Sequence, residues 1–498
     1  MKRILYVASG DFFSFYGGGQ VYVKNVVDEL IRQGVDIVIV SFVNKYIAVE
    51  KHSYNGVLLC EVGTLVTKDE ITKLIISIQP SLIHTHGHEF EQCSLGEQLN
   101  IPVIITAHHG GILCPAGTLL NAEDGICQTT LSHRNCLKCC LANIRTGRAW
   151  YPFMRLLPER MYRSLGRKLA GLPFVPFITP IGGVAKSIED KIAEWQSICN
   201  NASMVIAPSH AIAEAMCRNG LDESKVRVIP HGIPGKTMSG ERLAVKGEIR
   251  KEKGERRMEK GTDPSVLRTP APNLGEEFSK QRTVNGDGLK VAKHDENEYV
   301  DNKTLNTKHY TLNKSTSVIR FFFLGRICRV KGLHVLLEAF DDKCFADRAE
   351  LHIIGGTGNK GERRYMQALQ QKYSRANIVW HGKVPSEKVL ETIQDFDVMV
   401  HPTICLEIFG LNISESLLMH KPVLATRCGG AEMQIRDGEN GWLVEPNNAM
   451  ALREKMHQIV ENGIMFSLDT IDSGVVSIEQ HVKDLISLYE EKACIDRC

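Results

Sequence analysis

Short apolar runs alternate with longer segments of helical periodicity along most of the chain, and this alternation restricts the fold more than any other feature. The first half contains apolar runs at residues 4–7, 35–41 and 103–106, with an amphipathic segment at 21–33. Such alternation predicts a mainly parallel β-sheet covered by helices. The rhythm restarts at Val318, so a second sheet of the same type is predicted.

A polar segment separates the two halves. Residues 234–317 are rich in Lys, Arg, Glu, Asp, Asn, Gly and Ser and contain few apolar residues. This composition predicts a disordered or loosely packed insertion, with a solvated tether as the first interpretation and a partner-binding arm as the alternative. We therefore predict an α/β fold of two Rossmann-like, doubly wound domains, at 1–233 and 318–478, that face a cleft. A final amphipathic helix within 479–498 is expected to return to the N-terminal domain.

Composition and charge narrow the functional classes. The chain has 498 residues, of which 43% are hydrophobic, and a formal net charge of +2, which gives no support to nucleic-acid binding. The apolar run after the basic start is too short for a signal peptide, and no apolar run reaches the length of a membrane span. The 15 cysteines, without a secretory signal, favour thiols or metal ligands in a reducing compartment. A cytoplasmic location is expected.

Two carboxylates and two cations occupy strand-to-helix positions of the predicted second domain. Glu407 lies in the loop after the apolar run 398–400, and Glu415 lies on the helix that follows. Arg326 and Lys331 lie in the first loop of the same domain. Open α/β sheets bind ligands in such loops; a helix start attracts phosphate, and carboxylates accept hydrogen bonds from sugar hydroxyls. The combination predicts a nucleotide-sugar site whose cations neutralise a diphosphate.

Several motifs together resemble one family of enzymes. In the second half they are residues 323–332, the pair Glu407 and Glu415 with Phe409-Gly410-Leu411 between them, residues 421–423, Gly429-Gly430 and residues 437–441. In the first half they are residues 17–20, 106–109 and 229–232. On these motifs the chain resembles the retaining glycosyltransferases of the GT-B fold, family 4 (glycosyl transferases group 1). Apart from the insertion, the resemblance covers nearly the whole chain.

The resemblance implies transfer of a hexose from a UDP-, GDP- or ADP-sugar to a glycan, polysaccharide or lipid-linked acceptor. It implies retention of the anomeric configuration and no metal or other cofactor for catalysis. It also implies roles for the donor site: Arg326 and Lys331 hold the diphosphate, and Glu415 binds the ribose hydroxyls. Glu407 faces the transferred sugar, near the backbone N–H groups of Phe409, Gly410 and Leu411. In the first domain, Gly18 and Gly19 let the first loop approach the phosphates and the acceptor, and His108 contacts the sugar across the cleft. Glu407 and His108 are the expected catalytic residues.

Three positions depart from the family pattern. Ile408 stands where proline is usual, His420 where glycine usually ends the helix, and His109 where aspartate is frequent. These changes are expected to alter loop geometry and acceptor positioning without removing a charged group from the donor site. Two rival functions remain open. One is a non-catalytic partner subunit of a glycan-assembly complex; the other, less consistent with the glutamate pair, is a nucleotide-sugar epimerase.

A cysteine-rich loop follows the motif at 106–109. It contains Cys114, Cys127, Cys136 and Cys139, and the short spacing of the last two is typical of half a zinc knuckle. The two interpretations are a structural zinc ion bound by four thiolates and reduced cysteines that pack the loop.

Residues 145–168 combine many arginines with aromatic and large apolar residues. This pattern predicts an interfacial helix in peripheral contact with an anionic membrane, which would suit a lipid-linked acceptor. A helix with a basic face, packed on the first domain, is an equal alternative.

Overall fold

The fold is described by a computed structural model. It covers residues 3–13, 18–142, 147–156, 179–235, 309–312, 318–385, 388–467 and 474–494, with a few isolated positions between 157 and 170. The parts of the chain before and after the insertion belong to one compact unit. Apart from 234–235 and 309–312, the predicted insertion lies outside the described residues.

The N-terminal domain contains an eight-stranded sheet of order β3-β4-β2-β1-β5-β6-β7-β8. Its strands are β1 (Ile4–Ser9), β2 (Ile37–Phe42), β3 (Val49–Tyr54), β4 (Val57–Val62), β5 (Leu82–Thr85), β6 (Val103–Thr106), β7 (Met204–Ala207) and β8 (Val226–Val228). All pairs are parallel except β3 with β4. Its helices are α1 (Gly18–Arg32), α2 (Lys68–Ile78), α3 (Glu89–Leu99), α4 (His133–Ala142), α5 (Gly147–Met154), α6 (Thr179–Asn201) and α7 (His210–Arg218). Strands β5, β6 and β7 are buried at every residue, as expected of parallel strands covered on both faces.

The C-terminal domain contains a six-stranded parallel sheet of order β12-β11-β10-β13-β14-β15. Its strands are β10 (Ile319–Leu324), β11 (Ala349–Ile354), β12 (Ile378–Gly382), β13 (Val398–His401), β14 (Val423–Thr426) and β15 (Gly441–Val444). Its helices are α8 (Leu333–Phe340), α9 (Lys360–Lys372), α10 (Val389–Ile393), α11 (Leu411–Leu418), α12 (Gly430–Gln434) and α13 (Ala449–Asn462). The strand order reverses between β10 and β13, and the loops after these two strands carry the candidate site.

Strands β9 (His309–Leu312) and β16 (Ile464–Ser467) form a separate antiparallel pair, with Ile464 opposite Leu312. Strand β9 falls inside the range 234–317 that the composition predicts to be an insertion. Its four residues include Tyr310 and Leu312 but no run long enough to stand out from the polar segment. The folded second half therefore includes residues before Val318.

The last helix, α14 (Ile478–Cys494), packs on the N-terminal domain. Its buried side chains Val482, Leu485 and Leu488 share a core with Tyr22 and Val26 of α1. Polar contacts add to this packing: Tyr489 Oη lies 2.6 Å from His84 Nδ1, and the His481 ring bonds the Tyr22 hydroxyl. Helix α14 thus completes the core of the domain that contains β1 and α1.

Within the described ranges, no helix combines the length and the apolar character that a membrane crossing requires.

Candidate functional site

The loop between β13 and α11 carries Glu407, and its backbone is fixed on both sides. The Glu407 N–H donates to the Cys428 carbonyl at 2.8 Å, and the Gly430 N–H donates to the Glu407 carbonyl at 2.9 Å. Glycine is required at Gly430, because a Cβ there would lie 2.3 Å from the Phe409 Cα. The two backbone segments therefore approach as closely as main-chain atoms allow, and the carboxylate is held in one place.

Lys331 forms a partly buried ion pair with the Glu407 carboxylate. The same carboxylate oxygen lies 3.4 Å from the His401 Nε2 and 3.4 Å from the Thr403 hydroxyl. Burial alone would raise the pKa of Glu407, but the Lys331 ammonium and the His401 ring hold it well below its usual range. Burial would likewise lower the pKa of Lys331, yet the Glu407 carboxylate raises it. Both groups are therefore charged at neutral pH.

Lys331 reaches Glu407 because the loop after β10 runs close to the loop after β13. Gly332 has a φ of +69° and a Cβ on it would lie 1.8 Å from the Pro402 carbonyl oxygen. Only glycine satisfies both the left-handed conformation and the close approach.

Arg326 lies on the same loop but pairs with a different carboxylate. Its Nε donates to Glu362 Oε2 at 3.0 Å, and a second guanidinium nitrogen contacts Glu362 Oε1. Glu362 also accepts the Gly358 N–H at 2.6 Å, at the start of α9. The Arg326 side chain is 56% exposed, so donors of its five N–H groups remain available to a ligand.

The start of α11 lies beside this charged cluster. Gly410 is its N-cap residue, with a φ of +84° and no side-chain capping bond. In the first turn, the Ile413 N–H donates to the Gly410 carbonyl at 2.9 Å and to Asn412 Oδ1 at 3.1 Å. Asn412 in the first turn donates to the Leu324 carbonyl at 2.7 Å, which ties α11 to the end of β10. Glu415 lies one turn later and is half-buried.

The same loop contacts the N-terminal domain. Leu406 and Ile408 pack against the apolar core of that domain, and the Phe409 ring lies 5.3 Å from the ring of His231. A Cβ on Gly18 would lie 3.4 Å from Leu411 Cδ1. Ile408, which replaces the usual proline, thus contributes an interdomain apolar contact.

A cavity of about 220 Å³ opens in the N-terminal domain at the ends of β1 and β5. It is lined by Ala8, Asp11, Phe12, Gly19, Gln20, Val23, His86, His108 and His109. His86 Nδ1 lies 2.6 Å from His108 Nε2, and the His108 and His231 rings lie 5.4 Å apart. His231 thus contacts both the cavity residue His108 and Phe409 of the opposite domain.

The structure places the predicted site residues in two groups. Glu407, Lys331, Phe409, Gly410 and Leu411 lie together in the C-terminal domain, and Gly19 and His108 lie together in the N-terminal cavity. The predicted cations are both engaged by carboxylates: Lys331 by Glu407 and Arg326 by Glu362.

Sequence reasoning assigned no role to four residues that these contacts involve: His401, Glu362, His86 and His231. The sequence signal for His86 is the pair of histidines, His84 and His86, in and just after a short buried strand, and His401 similarly ends the apolar strand β13. Nothing in the local sequence distinguishes Glu362 from other acidic residues in the first turn of a helix.

His420 occupies the glycine position that ends α11, and it adopts the backbone conformation of glycine, with a φ of +55°. The His420 N–H donates to the Leu417 carbonyl, and the Lys421 N–H to the Ser416 carbonyl. These are the two hydrogen bonds of a Schellman motif. The expected change in loop geometry is therefore not seen at this turn; histidine is held in the left-handed region instead.

None of the four cysteines of the predicted zinc site forms a disulfide. Burial raises the pKa of Cys136 to about 11, and the neighbouring thiols of Cys114, Cys127 and Cys139 add to this effect. In the described part of the chain, the groups of three or more ligand atoms within 4.8 Å of one another do not include these cysteines.

The basic segment at 145–168 is only partly described. Helix α5 covers its first part, and Met154 packs into a small core with Leu137 of α4. Phe153, Leu156 and Met161 are 68%, 76% and 56% exposed. This part of the segment thus shows both an inward-facing residue and an exposed apolar group.

The protein has two doubly wound domains, and the loops of the C-terminal domain that carry the charged site also contact the N-terminal domain. This architecture is the GT-B class of fold, as predicted. Solved structures agree: Anabaena HepE in complex with UDP and glucose has a TM-score of 0.56 at 13% identity, covering 98% of this chain and 100% of that one. The apo form of the lipopolysaccharide outer core galactosyltransferase WaaB has a TM-score of 0.53 at 11% identity, covering 98% and 99%. Identities this low establish the fold alone.

Two family models match the chain. Residues 306–469 match Glycosyl transferases group 1, and residues 179–234 match Glycosyltransferase Family 4. Similar curated proteins include a sucrose synthase of Thermosynechococcus vestitus, 28% identical over 28% of this chain and 19% of that protein. A D-inositol 3-phosphate glycosyltransferase of Corynebacterium urealyticum is 29% identical over 34% of this chain and 42% of its own length. The chain therefore spans less than half the length of these relatives.

Proposed function

We propose that the protein is a glycosyltransferase that moves a hexose from a nucleotide-diphosphate sugar to a hydroxyl group of a glycan, polysaccharide or lipid-linked acceptor. The matches over 179–234 and 306–469 support the reaction class. The observation that carries the proposal is the partly buried Lys331–Glu407 ion pair, set in strand-to-helix loops of one domain that contact the other.

The chemistry follows from the charges. When the bond between the anomeric carbon and the phosphate oxygen breaks, its electron pair remains on the diphosphate, whose negative charge grows. In this proposal Lys331 and Arg326 neutralise that charge, and backbone N–H groups at the start of α11 add donors. Glu407 faces the electron-poor sugar, and Glu415 binds the ribose hydroxyls. His108, Gly18 and Gly19 contribute from the other domain.

The first experiment incubates the full chain with UDP-, GDP- and ADP-sugars and measures release of the free nucleoside diphosphate. We expect release from donors of one base, faster with an acceptor present. No release from any donor would favour the alternative, a non-catalytic partner subunit that keeps the fold.

The second experiment tests the site. Glu407→Gln and Lys331→Met should each lower kcat by about 100-fold or more, the scale of losing one preorganised electrostatic contact. Arg363→Ala is the matched control, because Arg363 is exposed on α9 next to Glu362 and should leave kcat unchanged. Full turnover in both site variants would overturn the assignment.

Retention and metal independence belong to the same proposal. The anomeric proton of the first product, observed by NMR before any equilibration, should show the configuration of the donor sugar. Turnover should persist after treatment with EDTA. An inverted product would contradict retention. Activity restored only by a divalent cation would contradict metal independence.

A structural zinc ion bound by Cys114, Cys127, Cys136 and Cys139 is a separate proposal. It requires the four sulfurs to close to the Zn–S distance of about 2.3 Å. Elemental analysis of the purified chain should find about one zinc per chain, and its removal should lower the unfolding temperature. Protein without zinc and with an unchanged unfolding temperature would leave only the packing interpretation.

Contact with an anionic membrane is supported by the exposed apolar residues of the segment 145–168 and by its exposed Arg155 and Arg160. The chain should sediment with phosphatidylglycerol vesicles and not with phosphatidylcholine vesicles. The double variant Arg155→Glu, Arg160→Glu should remain in the supernatant.

A further inference from the structure

His401, the last residue of β13, lies between the start of α11 and the Glu407 carboxylate. Its side chain is only 2% exposed. Its Nδ1 lies 3.3 Å from Asn412 Nδ2, and its Nε2 lies 2.9 Å from the Thr403 hydroxyl and 3.4 Å from Glu407 Oε2. Both ring nitrogens therefore have polar neighbours, and these neighbours decide which nitrogen carries the proton.

The Asn412 amide decides the Nδ1 side. Its Oδ1 accepts the Ile413 N–H at 3.1 Å, and its Nδ2 donates to the Leu324 carbonyl at 2.7 Å. These two partners identify which end of the amide is oxygen and which is nitrogen, so the group that faces His401 Nδ1 is an NH₂ donor. His401 Nδ1 must therefore accept, because a proton on this nitrogen would place two donors against each other.

The Glu407 carboxylate and the Thr403 hydroxyl decide the Nε2 side. The carboxylate is charged and can only accept hydrogen bonds. Thr403 therefore donates its single hydroxyl proton to Glu407 Oε2, 3.4 Å away, and its oxygen accepts from His401. Burial lowers the pKa of His401, so the ring is neutral at pH 7 and its one proton is on Nε2. Both sides of the ring require the same tautomer, and in this tautomer the ring N–H has an acceptor.

Three donor groups converge on one oxygen of the Glu407 carboxylate. Lys331 Nζ bonds Oε2, the Thr403 hydroxyl donates to it at 3.4 Å, and His401 Nε2 lies 3.4 Å from it. His401 and Thr403 are 2% and 1% exposed, so the bonds that they make are shielded from water. A carboxylate held in this way keeps one rotamer, and these hydrogen bonds leave its other oxygen, Oε1, to a further donor.

We propose that His401 is a positioning residue: it donates from Nε2 to the Thr403 hydroxyl and toward Glu407 Oε2, so that the carboxylate keeps one orientation and leaves Oε1 for the transferred sugar. The sugar in this statement rests on the proposed function; the tautomer and the hydrogen bonds within the protein do not. His401 itself contacts no reacting atom in this proposal.

The test of the tautomer uses the full chain labelled with ¹⁵N-histidine and long-range proton–nitrogen correlation spectra at pH 7. The His401 signals are identified by their loss in His401→Gln. Wild type should show His401 with a proton on Nε2 and none on Nδ1. A proton on Nδ1, alone or together with one on Nε2, would overturn the proposal, whether or not the protein transfers sugar.

Two variants of similar shape separate the hydrogen bonds of His401 from its packing. His401→Gln keeps an N–H donor near the position of Nε2, and His401→Met fills a similar volume without a donor. Glutamine should reduce kcat/KM less than threefold, and methionine should reduce it at least tenfold. Equal kcat/KM for the two variants would show that His401 only packs.

A double-mutant cycle tests whether His401 acts through Glu407. In a chain that already carries Glu407→Gln, the further change His401→Met should lower kcat/KM less than twofold, because no carboxylate remains to be oriented. A loss of twofold or more in that background would contradict the proposal. If no donor sugar reacts with any form of the protein, the proposed function fails while the spectra still decide the tautomer.

Discussion

At the scale of single residues, the Lys331–Glu407 pair has a large predicted effect on stability. The two side chains are only 27% and 11% exposed, so removing one charge leaves the other poorly solvated. Glu407→Gln should lower the free energy of unfolding by about 3 kcal/mol. The double variant Glu407→Gln, Lys331→Met should recover part of this loss, as measured by urea denaturation.

The pair also predicts a pH dependence. The pKa of Glu407 is lowered in the folded state, so its contribution is complete above the ordinary carboxyl value of 4.5 and decreases as pH falls below it. The difference in unfolding free energy between wild type and Glu407→Gln should therefore be constant from pH 6 to 8 and should shrink below pH 4.5. A difference that grew on acidification would contradict the sign of this shift.

His420 gives a prediction in the stabilising direction. A non-glycine residue in the left-handed region destabilises the folded state by about 1–2 kcal/mol. Glycine avoids this cost but loses more conformational entropy on folding, so the net gain from glycine is smaller. His420→Gly should raise the free energy of unfolding, measured by urea denaturation, by about 1 kcal/mol. His420→Ala keeps the left-handed cost and should give no gain, so a stabilised alanine variant would point to the side chain instead.

Residue roles were predictable where charge and loop position coincide. Glu407 and Lys331 were identified because they stand in loops after apolar runs, where ligands bind. That Lys331 bonds Glu407 directly was not predictable, because it depends on the approach of Gly332 to Pro402, which lies 70 residues away in sequence. The partner of Arg326, Glu362, depends in the same way on the placement of α9.

At the scale of elements, α14 supports a domain to which it is not adjacent in sequence. Leu485 is fully buried in the core that includes α1. Leu485→Ala should cost about 2–5 kcal/mol and should speed amide exchange in α1 more than in α11. Ser487→Ala, at an exposed position of the same helix, is the control and should leave the amide exchange of α1 and α11 unchanged. Faster exchange confined to the C-terminal domain would contradict this packing.

The parallel strands were predictable because burial on both faces leaves continuous apolar runs. Strands β3 and β4 were missed because β3 is mostly polar and exposed, as suits the edge of a sheet. The sequence nevertheless carried a signal: Asn55-Gly56 joins them, with φ values of +49° and +86°, the conformation of a type I′ hairpin turn. Strand β9 was missed because its partner β16 lies more than 150 residues later, beyond any local pattern.

At the scale of the whole molecule, a small hairpin of the cysteine-rich loop links the two domains. Leu120 and Ile126 form a bridge; Leu119 belongs to the N-terminal core, and Leu120 to the C-terminal core. Asp124 at its tip forms an ion pair with Arg329 at 2.5 Å, but the side chains are 35% and 58% exposed. The apolar contact should therefore contribute more than the ion pair.

Leu120→Ala should loosen the association of the domains, increasing the radius of gyration in X-ray scattering and lowering the unfolding free energy by about 2 kcal/mol or more. Asp124→Asn, in the same hairpin, should change the free energy by less than about 1 kcal/mol. A larger loss of unfolding free energy in Asp124→Asn than in Leu120→Ala would show that the ion pair, and not the apolar contact, holds the domains together.

The path of the chain between the domains has a practical consequence. The segment 1–235 contains β1 to β8, and the segment from His309 onward contains α14, which completes the core around Tyr22. Two polypeptides divided anywhere between 236 and 308 would each hold apolar surface that only the other covers. Co-expressed, they should purify as one complex, which makes this interval suitable for a split reporter or for inserting a foreign domain.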